Sequence, residues 1–120
     1  MANSFVHVEL NTTDVEKAKS FYGKLFDWKL QDTPMAQGSY TMIGVGEGVG
    51  GGIVQHPKPG APPMWLAYVN VTDIAASAKK AESLGAKVVQ PVTPVMDAGS
   101  FCIITDPAGA AFGLWEAKKK

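Results

Sequence analysis

The chain has 120 residues, of which 46% are hydrophobic, and its eleven basic residues balance eleven acidic ones. That length predicts one domain with a small core, and the balanced charge predicts no binding to nucleic acid or to an anionic membrane surface. With one cysteine, no apolar run of about 18 residues and no apolar leader, the sequence favours a cytoplasmic protein without disulfides or membrane spans.

The sequence contains one internal repeat, in which residues 5–57 align without a gap on residues 64–116. Asn11 aligns with Asn70, for example, 59 positions later. One supersecondary unit used twice predicts two modules and a groove between them. The expected bounds within a single domain, 1–120, are about 4–56 for the first module, 57–63 for a proline-rich linker and 64–116 for the second module.

The first copy reads as a strand, a helix and three further strands. Phe5–Leu10 is the first strand, and Thr13 with Glu16 forms a capping-box pattern that predicts the start of a helix running to about Leu25. Three short strands are then predicted, at residues 28–31, 40–45 and 51–55.

The second copy repeats this order. A strand at Met64–Val71 leads to a helix that begins at the cap formed by Thr72 and Asp73. That helix is expected to end at Gly85, because glycine readily adopts the left-handed conformation of a helix end. Three strands are then predicted, at residues 87–91, 101–105 and 112–116.

Three segments carry a resemblance to a known family: DVEKAKSFYGKLFDWKL in the first copy, TDIAASAKKAESLGAKVV in the second and TDPAGAAFGLWE near the end. With the paired modules, they resemble the vicinal oxygen chelate superfamily, which includes glyoxalase I, fosfomycin and bleomycin resistance proteins and extradiol dioxygenases. The resemblance implies an α+β fold, in which paired βαβββ modules form a curved, mostly antiparallel sheet with helices on its convex face. Members share this architecture but differ in chemistry, so function must be argued from the site.

In the metal-using members of the superfamily, the ligands come from the first and last strands of each module. Carried over by position, the first-strand ligands fall on His7 and Leu66, and the last-strand ligands fall on Val54 and Gly113. Only His7 has a donor atom, whereas catalytic zinc ordinarily takes three protein ligands. We therefore expect neither a metal ion nor another cofactor.

A rearranged metal site is an alternative. Because strand side chains alternate between the two faces of a sheet, Glu9 shares a face with His7, and His56 shares one with Val54. His7, Glu9 and His56 would then converge on one metal ion.

The same alternation predicts which residues line the groove. They combine aromatic, aliphatic and a few polar side chains, which is typical of a small-molecule pocket. The predicted lining is His7, Glu9, Val54, His56, Leu66, Tyr68, Gly113 and Trp115. We expect the ligand to be a small, partly apolar compound.

Some of these residues have a second interpretation. His7 is either a hydrogen-bonded histidine on the groove floor or, paired with Glu9, a general acid–base catalyst. Tyr68 and Trp115 are either ligand contacts or anchors of a subunit interface. A homodimer is expected in either case, because association would cover the sheet edges.

Other conspicuous residues are expected to be structural. Alternation predicts that Trp65 belongs to the core, Cys102 is expected to be a small buried hydrophobe, and Glu116 a solvated strand-end residue. The glycine-rich segment 44–52 leads into a strand and lacks the Gly-Lys-Ser/Thr ending of a phosphate loop. We interpret it as a hairpin loop.

Two functions are consistent with these patterns. The first is a metal-free binding protein similar to the bleomycin resistance proteins, which is favoured by the missing ligands. The alternative is an enzyme of the same fold, such as a lyase, an isomerase or a dioxygenase-like protein. It would use His7 and Glu9 for acid–base chemistry, or the rearranged metal site with His56.

Overall fold

The structure, a computed structural model, describes residues 3–34, 39–58 and 60–118. The helices and strands occur there in the predicted order, and β6 extends furthest beyond its predicted bounds. They are β1 Phe5–Thr12, α1 Val15–Leu25, β2 Lys29–Pro34, β3 Ser39–Gly44, β4 Gly51–Gln55, β5 Met64–Asn70, α2 Ile74–Ser83, β6 Lys87–Val95, β7 Gly99–Thr105 and β8 Ala111–Ala117.

The strands of each repeat pair in the same way. The strand order is β2-β3-β4-β1 in the first repeat and β6-β7-β8-β5 in the second. β1 runs parallel to β4, and β5 runs parallel to β8, whereas the other pairs within each repeat are antiparallel. Each repeat is therefore a βαβββ module, and the predicted α+β class with mostly antiparallel strands is confirmed.

Contacts divide the chain into two compact units. The first unit is His7–Leu66, and the second unit begins at Ala67 and includes the residues up to Val6. Hydrogen bonds tie the start of the chain into the second unit. The Asn70 N–H donates to the Ser4 carbonyl, and Asn3 Nδ2 donates to the Asn70 carbonyl, both at 2.9 Å.

The predicted linker, 57–63, separates β4 from β5. Its described residues, 57–58 and 60–63, contain no helix or strand, and Pro59 lies outside the described residues. Residues 35–38, in the predicted turn between β2 and β3, also lie outside them. The single domain with modules at 4–56 and 64–116 stays a prediction.

Helix α1 begins differently from the predicted capping box. Its N-cap is Asp14, whose Oδ1 accepts a hydrogen bond from the Lys17 N–H at 3.0 Å. Glu16 instead pairs with Lys19 at 3.4 Å. The prediction that Thr13 caps the helix is wrong, because the neighbouring aspartate satisfies the first-turn donors equally well.

Helix α2 is capped in the same manner. Asp73, 59 positions after the first cap, accepts from the Ala76 N–H at 3.1 Å. The helix ends at Leu84, and Gly85 follows with φ of 104°, which confirms the predicted helix stop. Within the described part of the chain, neither helix has the length and apolarity that a membrane span requires.

Each helix packs on one face of the strands in its own unit. The first core consists of Leu10, Ile43 and Ile53, against which Val15, Ala18 and Tyr22 of α1 pack. The second consists of Val71, Ile74, Ala78, Cys102, Ile104 and Leu114. Burying one aliphatic side chain of this size stabilises the fold by roughly 2 kcal/mol. The opposite faces of the strands are therefore available to polar side chains, although Thr12 and Thr41 are buried on the core side.

The 59-residue spacing does not extend to the last strand of each repeat. Glu9 pairs with Gly52 in β4, whereas Tyr68, which is 59 positions after Glu9, pairs with Gly113 in β8. Gly113 therefore corresponds to Gly52, and its predicted equivalence to Val54 is wrong. The strand β6 contains two register irregularities, which add residues to the second copy.

Candidate functional site

The candidate site lies on the face of the first unit that is turned away from α1. In β1 this face carries His7, Glu9 and Asn11, because the intervening Leu10 points to the core. The register places Gly52 of β4 beside Glu9, and Val54 beside Asn11. Strand β3 then brings Tyr40 and Met42 onto the same face.

A chain of hydrogen bonds joins four side chains on this face. His7 Nε2 lies 2.7 Å from the Tyr40 hydroxyl oxygen, and that hydroxyl donates to Glu9 Oε2 at 2.8 Å. Asn11 Nδ2 donates to Glu9 Oε1 at 3.2 Å. Since the hydroxyl has one proton and donates it to Glu9, the proton between His7 and Tyr40 belongs to Nε2.

Burial sets the charge of the histidine. His7 is half-buried, and its desolvation lowers the pKa of the imidazole below the usual value of 6.5, although the nearby charge of Glu9 opposes this shift. The imidazole is therefore neutral at pH 7. With the proton on Nε2, the lone pair of the neutral ring lies on Nδ1, which is the form that a general base or a hydrogen-bond acceptor needs.

Gly52 makes this arrangement possible. A Cβ atom at position 52 would overlap the ring of Tyr40. The ring therefore lies across the β4 backbone, which lets a residue of β3 reach two residues of β1. A glycine inside a strand often marks such a close approach.

Tyr40 belongs to the site although no sequence pattern predicted it. The sequence indicates it only indirectly, because alternation places a tyrosine of β3 on the face that also carries the polar residues of β1. That signal becomes specific only when Gly52 is known to lie between Tyr40 and Glu9. Knowing this requires the register of three strands.

The second unit holds the predicted residues Tyr68, Gly113 and Trp115. Tyr68 is only 4% exposed, and its ring occupies the space where a Cβ of Gly113 would be. Phe101 packs edge-on against Tyr68, with ring centroids 6.4 Å apart. Trp115 is half-buried in β8 and pairs with Asn70. Whether these residues contact a ligand or a second subunit stays a prediction.

The structure does not bring His56 to His7. Val8 pairs with Gly51 in the parallel β1–β4 pair, so His7 lies beside the start of β4, whereas His56 follows its end. Six strand positions separate the two levels, which corresponds to about 20 Å. His56 Nδ1 accepts a hydrogen bond from the Lys58 N–H at 3.0 Å. The alternative metal site, in which His7, Glu9 and His56 converge, is therefore not formed.

The described residues do not fit the metal of the metal-using relatives. Leu66 is buried, and its side chain has no atom that could bind a metal. Gly113 and Gly52, which by register occupy the two last-strand ligand positions, are also buried and have no side chain. Across residues 3–34, 39–58 and 60–118, no group of three or more His, Cys, Asp or Glu side chains is arranged to hold a metal ion. The donor set thus lacks the three protein ligands of a catalytic zinc site.

Three further predictions concern residues outside this face. Glu116 is not merely solvated, because its Oε1 accepts from the Ile74 N–H at 2.8 Å and caps α2. Trp65 is 41% exposed rather than core, and its ring meets Tyr22 edge-on. Cys102 is fully buried, as predicted, and burial raises the pKa of its thiol.

Comparisons with known proteins place the chain in a family. Residues 4–114 match the family described as the Glyoxalase/Bleomycin resistance protein/Dioxygenase superfamily. A protein of Mycobacterium tuberculosis named "Putative glyoxylase CFP32" is 40% identical over 117 residues, which cover 93% of this chain and 45% of that protein. The anthracycline biosynthesis protein DnrV of Streptomyces peucetius is 30% identical over 125 residues, covering 89% of this chain and 44% of that protein. The chain thus spans about half the length of these relatives.

Solved structures show the same fold. The methylmalonyl-CoA epimerase of Mycobacterium tuberculosis superposes with a TM-score of 0.72 at 17% identity, over 96% of this chain and 88% of that chain. A methylmalonyl-CoA epimerase of Streptomyces coelicolor superposes with a TM-score of 0.75 at 9% identity, over 99% of this chain and 100% of that chain. The chain therefore belongs to the glyoxalase/bleomycin resistance protein/dioxygenase superfamily and has the vicinal oxygen chelate fold.

Proposed function

We propose that this protein binds a small, partly apolar molecule on the face of the first unit that carries His7, Tyr40 and Glu9, and that it does so without a resident metal ion. The observation that carries the proposal is the hydrogen-bonded chain His7–Tyr40–Glu9 on a strand face whose other side chains include Val54 and Met42. A few fixed polar groups within an apolar surface are typical of small-molecule sites.

The hydrogen-bonded chain of His7, Tyr40 and Glu9 determines which charge and which polar groups a ligand needs. Glu9 already accepts from Tyr40 and Asn11, so its negative charge is partly compensated within the protein. The neutral His7 imidazole carries no charge that would attract an anion. A neutral ligand with one or two hydrogen-bonding groups on an apolar body fits these conditions better than a phosphate or a carboxylate.

The donor set supports metal-independent binding. Three of the four positions that supply ligands in metal-using relatives hold side chains without donor atoms, and His7 Nε2 donates its proton to Tyr40. We expect purified protein to contain much less than one zinc, nickel, manganese or iron per chain. Stoichiometric metal that disappears in a His7→Ala variant would overturn this part of the proposal.

A pair of matched variants tests the binding site. Tyr40→Phe removes the hydroxyl that bridges His7 and Glu9, whereas Tyr22→Phe removes a hydroxyl from the helix-side core. A compound found in a thermal-shift screen should bind about tenfold more weakly to Tyr40→Phe, because the fixed polar geometry is lost. Its affinity for Tyr22→Phe should be unchanged. Equal effects of both variants would place the ligand elsewhere.

Acid–base catalysis is the second candidate, and one observation favours it. The His7 imidazole is neutral at pH 7, with its lone pair on Nδ1, and Tyr40 links it to the Glu9 carboxylate. A neutral imidazole can accept a proton from a carbon acid. A relative bears the name "Putative glyoxylase CFP32", and methylmalonyl-CoA epimerases share the fold, so we propose compounds with a proton next to a carbonyl group as the first class to test.

Deuterium exchange separates the two functions. A binding protein leaves the carbon-bound protons of its ligand in place in heavy water, whereas an enzyme of this kind incorporates deuterium. Incorporation that disappears in a His7→Gln variant, while ligand affinity is kept, would establish catalysis. Binding without incorporation would support the first proposal.

The assembly of the protein also belongs to the proposal. We infer a homodimer in the cytoplasm, with a small molecule as the bound partner and with neither nucleic acid nor membrane. The balanced charge of eleven basic and eleven acidic residues supports the last point. Sedimentation equilibrium across a range of protein concentrations tests the dimer, and a single monomer mass throughout would exclude it.

A further inference from the structure

A second concave site lies on the helix-side face of the first unit, opposite the face that carries His7. It is a cavity of about 270 Å³. Its walls come from β1, from the ends of β3 and β4, from the turn between these two strands and from two tryptophans. The lining residues are Val8, Trp28, Ile43, Val45, Val49, Gly50, Gly51 and Trp65.

Comparison with the second unit explains why this space is open. The register pairs Ile43–Gly51 and Ile104–Phe112 enclose connections of equal length. Each connection contains a glycine with positive φ, Gly48 at 106° and Gly109 at 101°. Two residues before Gly109, Pro107 packs beside Gly85 at the end of α2. The corresponding residue in the first unit is Gly46, where an added Cβ would meet no atom within 4 Å beyond its chain neighbours.

A second pair of equivalent positions shows the same difference. Phe112 of β8 packs against the core of the second unit. By register its counterpart in β4 is Gly51, where a Cβ would overlap the Val8 carbonyl oxygen, so this position cannot carry a ring. The first unit therefore lacks both rings that close this end of the sheet in the second unit.

The two tryptophans are held in place by other aromatic rings. Trp28 and Trp65 meet edge-on, with centroids 6.4 Å apart and an interplanar angle of 79°. Tyr22 stacks on Trp28 at 5.9 Å, and Phe26 contacts Trp28 at 4.7 Å. Trp65 is 41% exposed and Val49 is 44% exposed, so these two residues form the rim of the cavity.

The chemistry of the walls selects the ligand. None of the eight lining residues has a charged side chain, and the indole N–H groups are the only side-chain donors among them. A charged ligand would lose its hydration there without compensation. An enclosed apolar cavity of about 150 Å³ is known to bind benzene, and the larger, more open space found here has room for one or two rings. Edge-on and offset ring contacts would add to the apolar contribution.

We propose that this cavity is a binding site for a neutral aromatic compound of one or two rings. The site does not depend on the proposed function, because Val8 and Gly51 lie on the helix-side face whereas His7 and Tyr40 lie on the other. Its ligand is held by shape and by ring contacts rather than by hydrogen bonds.

Two-dimensional ¹H–¹⁵N NMR spectra of the indole N–H groups provide the test. The chain has three tryptophans, so Trp28 and Trp65 report on the cavity, and Trp115 in β8 serves as an internal reference. Titration with indole should shift the Trp28 and Trp65 signals saturably and leave Trp115 in place. Indole-3-acetate, which has the same rings and a carboxylate, should bind at least about tenfold more weakly.

A matched pair of variants completes the experiment. Val49 and Val92 are both exposed valines, at 44% and 40%, but only Val49 lines the cavity. Val49→Phe should fill the rim and abolish the indole shifts, whereas Val92→Phe should preserve them. Shifts that are equal at all three tryptophans, or that persist in Val49→Phe, would overturn the proposal. The proposal would also be overturned if the Trp28 and Trp65 chemical shifts changed with protein concentration and not with indole concentration. A second copy of the chain would then occupy the cavity.

Discussion

The two units place a glycine at equivalent positions, Gly52 and Gly113, but cover it with an aromatic ring from a different strand and so build different surfaces. In the first unit the ring of Tyr40 crosses Gly52 and hydrogen-bonds to His7 and Glu9. In the second unit the ring of Tyr68 lies over Gly113 and packs against another ring. Both repeats keep a glycine at this strand position, whereas the ring beside it bridges a histidine and a carboxylate in the first unit and packs against a phenylalanine in the second.

The equivalent residues make this contrast specific. Glu9 corresponds to Tyr68, and Tyr40 corresponds to Phe101 by the register of the last two strands. The carboxylate of Glu9 thus has a phenol as its counterpart, and the phenol of Tyr40 has a phenyl ring, so the second pair contains no carboxylate. The second unit is expected to respond to substitutions as a core does, and the first as a binding site does.

Adding one methyl group to each glycine should give the largest effect. Gly113→Ala should destabilise the protein by about 3 kcal/mol, because the new atom would overlap the buried ring of Tyr68. Gly52→Ala should cost about 2 kcal/mol, since Tyr40 is partly exposed and has room to swing away. Urea unfolding measures both changes.

Gly44→Ala is the control for these two variants. A Cβ there would lie 3.6 Å from Lys29 Cβ, which is an ordinary contact, so the change should be neutral or should stabilise by up to about 1 kcal/mol. Equal costs at all three glycines would mean that the rings do not determine the need for glycine.

Exchanging one hydroxyl between the units should have an intermediate effect. Phe101→Tyr should cost roughly 1–2 kcal/mol, because it places a hydroxyl beside Tyr68. Tyr40→Phe should cost about 1 kcal/mol, because the hydrogen-bonding atoms of His7 and Glu9 lose their shared partner. Thermal unfolding of both variants measures the changes, and a neutral Tyr40→Phe would show that the bridge contributes nothing to stability.

The residues at the ends of β4 and β8 offer a smaller contrast. Glu116 accepts from the first-turn Ile74 N–H of α2, whereas its counterpart Gln55 donates through Nε2 to the Thr13 carbonyl at 3.2 Å. Glu116→Gln should therefore cost about 1 kcal/mol, because a helix N-terminus favours a charged acceptor. Gln55→Glu should change stability by less than about 0.5 kcal/mol. The denaturant midpoints of the two variants measure these changes, and a larger loss in Gln55→Glu than in Glu116→Gln would contradict the prediction.

The smallest expected effect is on the pH dependence of stability. Burial lowers the pKa of His7, so below pH 6.5 the unfolded chain binds a proton that the folded chain resists. Stability should therefore fall as the pH drops from 6.5 toward the lowered pKa, and this loss should be absent in His7→Gln. Unfolding free energies at several pH values between 7 and 5 provide the measurement. An identical dependence of stability on pH in the unmodified protein and in His7→Gln would contradict a lowered pKa of His7.

The elements of the fold could be predicted because their signals are local. The helix stop at Gly85 depends on one residue, and the strands of both repeats depend on alternation over a few residues. The first cap was misplaced because Thr13 and Asp14 are both good cap residues, and only the backbone conformation distinguishes them.

The site was less predictable because it depends on register. His7 and Glu9 could be assigned to one face from alternation alone, but their link to Tyr40 passes over Gly52 from another strand. The irregularities of β6 shift the second copy, so a gapless repeat names Val54 in place of Gly52. Such bulges leave no clear mark in a single sequence.

The buried thiol of Cys102 can report how often the core of the second unit opens. A reagent that attacks thiolates cannot reach a fully buried sulfur, and burial also keeps that sulfur protonated. Labelling in native buffer therefore proceeds only during the moments when β7 separates from its neighbours. The labelling rate of the unmodified chain measures how often that core opens, without any introduced probe.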